Sequence, residues 1–550
     1  MKLFNFKNIA FATVLGTALT FGSCTNLDEK IYSDIDSSQY TFSDKDIQSM
    51  FASVYSNMRS VYWGWNGLFD IEEESGDLYM TPLRIGVGWG DLYITMHKHT
   101  YHSLIDHMYI PWYYGYNGIN ACNKLLDREV VQKSEQSSAQ LRAFRALYYY
   151  ILLDLFRNVP LETTYQHEAG YLPVQAKPQE TWDFIISELN AVKETLAKDT
   201  EYGHLNKYGV DMILAKMYLN RNAWFGTADD TYYEKALACV QEIIDSGKYS
   251  LASNYTDPFQ YDDSSCSEVI FGIPFNDTYA TGNYLCNKCL HGASAATFGY
   301  NGTPWNGSCA VPQFIDTYDA DDSRKADTWL IGDQYDKSGN IIKVDGEVLN
   351  YTRNIHSIDN PGAYPFEGAR FHKYYIEPGK YGTAGDDVPF FRYTDALMIK
   401  AECLLRLGKN EQTAADIVSS IRARAFKNNP SKAIRTVADL KGGSIYAYGH
   451  EENTAKKDEA DNWVRTNEGG NDIQLGGLLD DLAWEFVGEH HRRQDLIRFR
   501  LTSKNSNVYN GKSWFCKDVE TDVTDTHKDI YPIHQNFLDA NMKLVQNPGY

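Results

Sequence analysis

Aromatic side chains that can stack on a ligand are concentrated where the sequence lacks helical periodicity. A Trp or Tyr ring covers the flat C–H face of a sugar, and planar Asp, Asn or Arg groups at the rim bind its paired hydroxyl groups. Both kinds of residue occur together in residues 84–93 and again around Trp305. The candidate ligand-binding residues are Trp89, Arg84, Asp91, Trp65, Tyr300, Trp305 and Trp329. Trp305 lies in a Pro-Trp-Asn-Gly turn, so its alternative role is to anchor that loop.

Residues 485–495 contain a second set of groups that could bind a metal or transfer protons. The helical zinc motif needs two His four residues apart, whereas the two His of this run are adjacent. Glu489 with Arg493, and His491 with Asp495, instead have the i, i+4 spacing of helical ion pairs. We therefore predict an ion-pair network that is solvated or lies at an interface.

Cysteine and aspartate clusters elsewhere are weaker candidates for a metal. Cys286 and Cys289 have the spacing of half a zinc site, but no second CxxC or HxxxH pair accompanies them. A loop disulfide or free thiols are favoured, since an exported protein can meet oxidising conditions. Residues 319–322, Asp-Ala-Asp-Asp, lack the Gly and distal Glu of an EF-hand loop, so we expect a solvated turn. The sequence predicts no metal site and no cofactor.

The charge balance argues against one large class of partner. The chain of 550 residues has 73 acidic and 52 basic residues, which gives a net charge of −21, and it has no basic block. Because nucleic-acid binding depends on Lys and Arg that neutralise phosphates, no nucleic-acid partner is expected. The acidity instead suits an exposed, soluble surface.

Helices must position these groups, and the clearest predicted pair spans residues 390–426. Its apolar residues recur near the i, i+3, i+4, i+7 spacing of a helix that faces a core. Gly408 predicts the end of the first helix, because glycine suits the left-handed residue just past a helix end. Ala414 and Ala415 belong to the core-facing side of the second helix. The segment predicts a helical hairpin with small residues at the crossing, the unit that solenoid proteins repeat.

Similar apolar stripes predict further helices with irregular segments between them. Predicted helices cover residues 42–62, 140–157, 181–197, 210–220, 232–246 and 478–499. Three pairs begin with an Ala-x-x-x-Leu spacing, which indicates a degenerate helix-pair repeat of variable period. Residues 63–109 and 249–388 lose helical periodicity and are predicted to be loop-like. We expect the helical hairpin to hold these segments side by side, so that their aromatic residues share one ligand.

The N-terminus carries the features of an export signal. Lys2 and Lys7 precede an apolar run, residues 9–21, which is too short to span a bilayer. Two small residues stand before Cys24, which resembles a bacterial lipoprotein signal in which that cysteine is lipidated. We predict a signal peptide over residues 1–23, lipidation at Cys24 and a polar tether over residues 24–41. A signal peptide cut at another position is the alternative.

Four parts of the chain resemble one protein family. They are LRAFRALYYYILLDLFRNVPL (residues 141–161), FFRYTDALMIKAECLLRLGK with SSIRARA (390–409 and 419–425), LAWEFVGEHHRRQDLIRF (482–499), and YPI with QNPGY (531–533 and 546–550). In their order and spacing, and in Cys24, the chain is similar to the SusD/RagB family, surface lipoproteins of Bacteroidetes that capture nutrients for a TonB-dependent transporter. Local departures are Leu482, Trp484, His490 and His534, all outside the candidate ligand site.

The resemblance implies a mostly α-helical, SusD-like fold. Tetratricopeptide-like helix pairs would form the scaffold, and irregular, loop-rich insertions would form the ligand face. An N-terminal helical part would span residues 42–248 and a SusD/RagB C-terminal part residues 249–550. Residues 84–93 resemble the aromatic loop of glycan-binding members, which makes Trp89 the first choice for stacking, with Arg84 and Asp91 as polar partners.

The implied function is non-catalytic capture of a glycan at the outer membrane and its delivery to a SusC-like TonB-dependent transporter. Two alternatives stay open. The family also permits capture of peptides, and the many acidic residues leave room for the carboxylate pair of a glycoside hydrolase. A site dominated by Trp, without a deep charged pocket, would favour sugar over peptide.

Overall fold

The computed structural model describes residues 43–62, 65–89, 91–380, 384–454, 462–501, 507–518 and 526–550. The predicted signal peptide, Cys24 and the tether lie outside these residues. Within the described part of the chain, no helix combines the length and the apolar character that a membrane span requires.

Helices make up most of the N-terminal half. In chain order they are α1 (Asp44–Met50), α2 (Ala52–Tyr62), α3 (Leu68–Glu74), α4 (Asp91–His97), α5 (Asp106–Leu126), α6 (Glu129–Gln132), α7 (Glu135–Phe156), α8 (Pro178–Val192), α9 (Lys207–Phe225) and α10 (Thr231–Asp245). Every residue from Leu141 to Phe156 except Arg142 is buried. This burial on all sides places α7 at the centre of the helical scaffold.

The C-terminal half alternates helices with short strands. Its helices are α11 (Leu285–Cys289), α12 (Ala295–Phe298), α13 (Pro312–Ile315), α14 (Arg324–Thr328), α15 (Tyr393–Leu407), α16 (Glu411–Ala423), α17 (Val437–Lys441), α18 (Gly476–Phe486), α19 (Arg492–Phe499) and α20 (Gln535–Ala540). The long predicted insertion contributes α11–α14 and most of the strands.

The strands form antiparallel pairs and no extended sheet within the described residues. They are β1 (Tyr79–Met80), β2 (Val269–Ile273), β3 (Cys309–Ala310), β4 (Trp329–Leu330), β5 (Gly332–Asp333), β6 (Lys343–Val344), β7 (Glu347–Val348), β8 (Asn350–Tyr351), β9 (Arg370–Phe371), β10 (Val388–Arg392), β11 (Glu451–Asn453) and β12 (Trp463–Arg465). The pairs are β1–β3, β2–β10, β4–β9, β5–β8, β6–β7 and β11–β12. The β1–β3 pair joins the loop before α4 to the insertion.

Pairs of helices build the scaffold, as the apolar stripes predict. α5 packs on α7, α9 on α10, α10 on α15, and α15 on α16. Gly408 ends α15 with φ of 62°, so the predicted hairpin and its glycine stop are confirmed. At the α5–α7 crossing, a Cβ atom on Gly118 would lie 2.2 Å from the Tyr148 ring, so only glycine permits this approach. The fold is mostly α-helical, with tetratricopeptide-like pairs.

Three predicted segments differ from the structure. Residues 249–388 are not all loop, because they contain the short helices α11–α14, and residues 63–109 are not all loop, because they contain α3 and α4. All seven residues of α3 are buried, including its acidic ones, so no amphipathic stripe marks this helix in the sequence. The single helix predicted over residues 478–499 is interrupted between α18 and α19. There Gly488 and His490 have φ of 78° and 55°, which an α-helix does not accommodate.

The interruption carries Glu489 into a buried ion-pair network. Glu489 lies 2.5 Å from Lys373 Nζ and 2.6 Å from Arg392 Nε. Glu485 belongs to the same buried network and forms ion pairs with Arg392 and with Arg424. Burial alone would raise the pKa of Glu485, but Arg424 and Arg392 outweigh it and lower that pKa to about 2. The predicted ion-pair network is therefore confirmed, but the expectation that it is solvated is wrong, because these side chains are buried.

The predicted i, i+4 pairs are also wrong in their partners. The pairs observed instead are Arg493 with Glu72 and Asp154, and Asp495 with Arg498. Glu489 cannot follow helical spacing because it lies outside both α18 and α19.

Candidate functional site

Three tryptophans from distant parts of the chain meet at one open groove. Trp65 follows α2, Trp89 precedes α4, and Trp305 lies between α12 and β3. The groove has a volume of about 410 Å³ and is lined by Trp65, Val87, Gly88, Trp89, Leu92, Tyr93 and Trp305. The segment around Trp89 thus lies beside the insertion that carries Trp305, as expected. Val87, Leu92 and Tyr93 also line the groove; they are not among the candidate ligand-binding residues, although all three are close to Trp89 in the chain.

The rings form a tilted array. The centroids of Trp65 and Trp305 are 5.6 Å apart, with the ring planes inclined at 59°. Tyr284 lies 5.2 Å from Trp305 at 33°, and Trp89 meets Tyr93 edge to face at 5.6 Å. Trp65 is 44% exposed, whereas Trp89 and Trp305 are half-buried. Trp65 therefore offers the most open ring face to a ligand.

Asparagines in the left-handed conformation set the turns that present two of these rings. Asn66 has φ of 64° and Asn306 has φ of 55°, a conformation that Asn adopts more readily than most residues. The Asn66 N–H donates to the Asp70 carboxylate at 2.9 Å. The Asn306 N–H donates to the Leu290 carbonyl at 2.8 Å. Hydrogen-bonded turns therefore directly follow Trp65 and Trp305.

Trp89 is bonded to the Trp305 loop through its own indole. Its Nε1–H donates to the Trp305 carbonyl at 2.9 Å. A Cβ atom on Gly307 would lie 2.7 Å from the Trp89 ring, so the close contact depends on glycine. Trp89 thus packs the loop as well as lining the groove.

A buried ion cluster joins three elements at the groove. Lys288 Nζ of α11 lies 2.6 Å from Asp70 and 2.8 Å from Glu74 of α3, and all three side chains are fully buried. The hydroxyl of Tyr93, from α4, donates to Asp70 at 2.9 Å. Burial would raise the pKa of Asp70, but Lys288 and His107 outweigh it and lower that pKa. The cluster therefore fixes the Tyr93 side of the groove to two other helices.

Arg84 is buried inside the loop, so the prediction that it is a polar partner at the rim is wrong. The residue is 1% exposed, and its Nε–H donates to the Gly307 carbonyl at 2.8 Å. Another N–H group donates to the carbonyls of Glu367 at 2.8 Å and Tyr364 at 3.2 Å. Burial, assisted by Arg370, lowers the pKa of Arg84 to about 9. The guanidinium satisfies carbonyls of irregular backbone that would otherwise be buried without a donor.

Two other predicted residues, Trp329 and Tyr300, do not line the groove in the described structure. Trp329 is 2% exposed, and its Nε1–H donates to the Tyr318 hydroxyl at 3.3 Å. It is a core residue, so the prediction that it contacts ligand is wrong. Tyr300 is half-buried with its ring 6.5 Å from that of Phe298. Asp91 begins α4, but its side chain lies outside the described part of the structure.

A second open cavity, of about 630 Å³, adjoins the groove along the turn of residues 85–88. Val87 lines both spaces. Part of the wall of the second cavity is the β6–β7 hairpin, whose turn residues Asp345 and Gly346 have φ of 52° and 88°. Two left-handed residues in a two-residue loop form a type I′ turn. Asp-Gly between two short runs is a hairpin signal in the sequence, but no sequence pattern predicts the cavity beside the hairpin.

The structure gives neither of the weaker metal candidates the features of a metal site: the two cysteines are buried, and the two aspartates pair with a lysine. Cys286 and Cys289 are buried and have no disulfide partner, which agrees with the free-thiol alternative. Burial raises the pKa of the Cys289 thiol to about 12. Lys432 Nζ lies 2.6 Å from Asp319 and 2.7 Å from Asp321, so both carboxylates pair with a lysine.

Two family models match this sequence, and together they cover most of the chain. The model described as SusD family matches residues 246–550, and one described as starch-binding associating with outer membrane matches residues 26–219. Starch-binding protein SusD of Bacteroides thetaiotaomicron is 24% identical over 459 residues, 75% of this chain and 72% of that protein.

Two solved structures share the fold over most of both chains. Surface glycan-binding protein A from Bacteroides uniformis has a TM-score of 0.65 at 20% identity, over 92% of this chain and 99% of its own. The same-named protein from Bacteroides thetaiotaomicron, in complex with laminarihexaose, has a TM-score of 0.64 at 18% identity, over 92% and 99%. At these identities the likeness establishes the fold.

Proposed function

Because the chain belongs to the SusD family, we propose that it is a glycan-binding lipoprotein of the cell surface. It captures an oligo- or polysaccharide without catalysis and passes it to a SusC-like TonB-dependent transporter in the outer membrane. A relative that binds starch and a structural neighbour in complex with laminarihexaose support the choice of ligand class.

The observation that carries the proposal is the groove where Trp65, Trp89 and Trp305 meet. Indole faces remove the C–H faces of a sugar from water, while an open groove leaves the hydroxyl groups at its edge hydrated. A peptide would bring backbone N–H and C=O groups that need partners, and this lining offers mostly hydrocarbon. The groove chemistry therefore favours sugar over peptide.

Attachment to the outer membrane rests on the N-terminal sequence and on one family match. Lipidation at Cys24 would place acyl chains at the start of the mature chain, and residues 24–41 would tether the folded body. The description of the family model that matches residues 26–219 also names the outer membrane. This geometry would hold the groove near a transporter in the same membrane.

We propose binding without hydrolysis because of the side chains that line the groove. A glycoside hydrolase places two carboxylates across the scissile bond, about 5–10 Å apart. The side chains that line the groove in the described structure are aromatic or aliphatic. None of the groove-lining side chains that the structure describes carries a carboxylate, so this lining supports binding rather than hydrolysis.

Native affinity gels containing soluble polysaccharides test the proposal. We expect at least one polysaccharide to retard the protein, and Trp65→Ala to lose most of that retardation. Tyr279→Ala is the matched control, since Tyr279 is 93% exposed and does not line the groove. Equal retardation of Trp65→Ala and the parent in every gel would overturn the proposal. Release of new reducing ends by the purified protein would indicate a hydrolase instead.

A further inference from the structure

We propose that the buried ion pair between Lys288 and Asp70 positions the walls of the groove and sets the spacing and inclination of its tryptophan rings. Neither residue is among the described residues that line the groove, so both act through the residues that do. The inference rests on the glycan-binding function proposed above. It deepens that function, because it assigns part of the affinity of an open surface to a pair of charges behind it.

Asp70 connects two sides of the groove. One of its carboxylate oxygens accepts the backbone N–H of Asn66, which directly follows Trp65, at 2.9 Å. The same oxygen accepts the hydroxyl of Tyr93 at 2.9 Å, and the other oxygen accepts the lysine ammonium at 2.6 Å. The Tyr93 ring in turn meets Trp89 edge to face at 5.6 Å. One carboxylate therefore fixes both the turn after Trp65 and the ring beside Trp89.

Lys288 connects this carboxylate to the third tryptophan through its own backbone. Its carbonyl accepts the N–H of Gly307 at 2.7 Å, and the carbonyl of Asn287 accepts the N–H of Trp305 at 2.9 Å. Carbonyls near the end of a helix lack partners within the helix, and this turn supplies them for α11. Because the ammonium and the carbonyl belong to one residue, the ion pair holds the Trp305 turn in place relative to the Trp65 turn.

The pair lies in the interior of the protein. Lys288, Asp70 and Glu74 are fully buried, and Lys288 Nζ lies 2.8 Å from Glu74. Nζ also lies over the Tyr93 ring, 4.1 Å from its centre, which adds a cation–π contact. His107, fully buried as well, lies 3.6 Å from the Asp70 carboxylate. Attraction between charges is weakened least where water is excluded, so these contacts hold the groove walls firmly.

The relative position of the rings matters because they do not lie in one plane. The planes of Trp65 and Trp305 are inclined at 59°, and their centroids are 5.6 Å apart. A sugar chain gains from both rings in full only if their relative position is set before binding, because ordering a mobile wall during binding costs entropy. Loss of the ion pair should therefore reduce affinity although every ring of the groove remains.

Calorimetry with a panel of soluble polysaccharides that includes amylopectin and laminarin tests the inference. The variants are Lys288→Met and Asp70→Asn, each measured below its own Tm. Asp70→Asn keeps the shape of the side chain and one oxygen acceptor, so it tests the charge even where Lys288→Met is too unstable to fold. We expect either variant to raise Kd at least about fivefold. The near-ultraviolet circular dichroism of the free protein should also change, because it reports the surroundings of the tryptophan rings.

Two comparisons separate positioning from stability. Arg498→Met breaks a buried ion pair with Glu402 outside the groove, so it should lower Tm comparably and leave Kd within about twofold of the parent value. In a Trp65→Ala background, loss of the Lys288–Asp70 pair should raise Kd by less than half of the factor seen in the parent, because one ring that it positions is gone.

An unchanged Kd in a folded variant that lacks the ion pair would overturn the inference and leave the proposed function standing. An equal rise of Kd in Arg498→Met would do the same, since it would trace the effect to general stability. If no polysaccharide of the panel binds the parent protein through Trp65, the inference and the proposed function both fail.

Discussion

Trp65→Ala and Trp89→Ala separate ligand binding from loop packing. A Trp side chain buries about 150–250 Å² when it is fully covered. With 44% of Trp65 exposed, about 65–110 Å² remains for a ligand to cover. At about 25 cal/mol per Å², that area corresponds to about 1.6–2.8 kcal/mol, or roughly 15- to 100-fold in Kd. We expect Trp65→Ala to lose that affinity with little change in Tm.

Trp89→Ala should lose stability as well as binding. It removes the hydrogen bond from the indole to the Trp305 carbonyl and the contact over Gly307. We expect about 2–4 kcal/mol of lost stability, from the hydrogen bond and the buried ring together. Trp89→Phe is the matched variant, because it keeps an aromatic ring and removes only the N–H donor and part of the surface.

Calorimetry with a polysaccharide that retards the parent protein, combined with thermal unfolding of each variant, measures both effects. The reasoning fails if Trp65→Ala binds as tightly as the parent, or if it unfolds at a much lower temperature. It also fails if Trp89→Ala leaves Tm unchanged, since the indole would then not pack the loop. Trp65→Phe should retain more than half of the binding free energy, because a flat ring remains.

Three further outcomes follow from buried groups. Lys288→Met removes the only lysine that Asp70 and Glu74 share among the described residues and should cost about 3–5 kcal/mol by thermal unfolding, whereas Lys98→Met, at a partly exposed pair, should cost less than about 1 kcal/mol; equal costs would contradict the first value. Gly307→Ala should displace the Trp89 ring and reduce glycan binding, with a change in tryptophan fluorescence, and an unchanged spectrum would show that the loop adapts. Burial raises the pKa of Glu73 to about 8. Its folded pKa lies above its unfolded value of about 4.3, so its contribution to stability is complete below that value and is lost as pH rises from there to about 8. Glu73→Gln should therefore lose less Tm than the parent between pH 5 and pH 8, and an equal loss would refute this assignment.

The helical scaffold is predictable from the sequence because its apolar residues recur at the helical period. Gly408 lies at the left-handed end of α15, as its place after the last periodic residue indicates. Most of the segments that carry the family resemblance are helices of this scaffold. The resemblance correctly implied a fold of paired helices. The break between α18 and α19 was not visible, because His490 takes a left-handed conformation that sequence periodicity does not reveal.

Loop side chains have no period that reveals which of them are buried. Trp329 and Arg84 have the types that a sugar site needs, yet tertiary contacts bury both. From sequence alone, Trp89→Ala would be expected to leave Tm nearly unchanged, whereas its bond to the Trp305 loop predicts a loss. The second cavity combines residues from four segments, 85–87, 291, 344–354 and 364–367, so only the folded chain brings them together.

The ligand face consists of irregular backbone, and buried cations supply hydrogen bonds that a helix or sheet would otherwise supply. Arg84 donates to the carbonyls of Gly307, Tyr364 and Glu367, which lie on two loops that flank the cavities. A planar guanidinium reaches several acceptors in fixed directions, whereas a lysine offers one nitrogen, so arginine suits this position. Because these bonds form without ligand, the surface is organised in advance, and binding loses little conformational entropy. The N–H groups of Arg84, which from sequence could donate to sugar hydroxyls, therefore donate to backbone carbonyls instead. Only the burial of the side chain distinguishes these two roles.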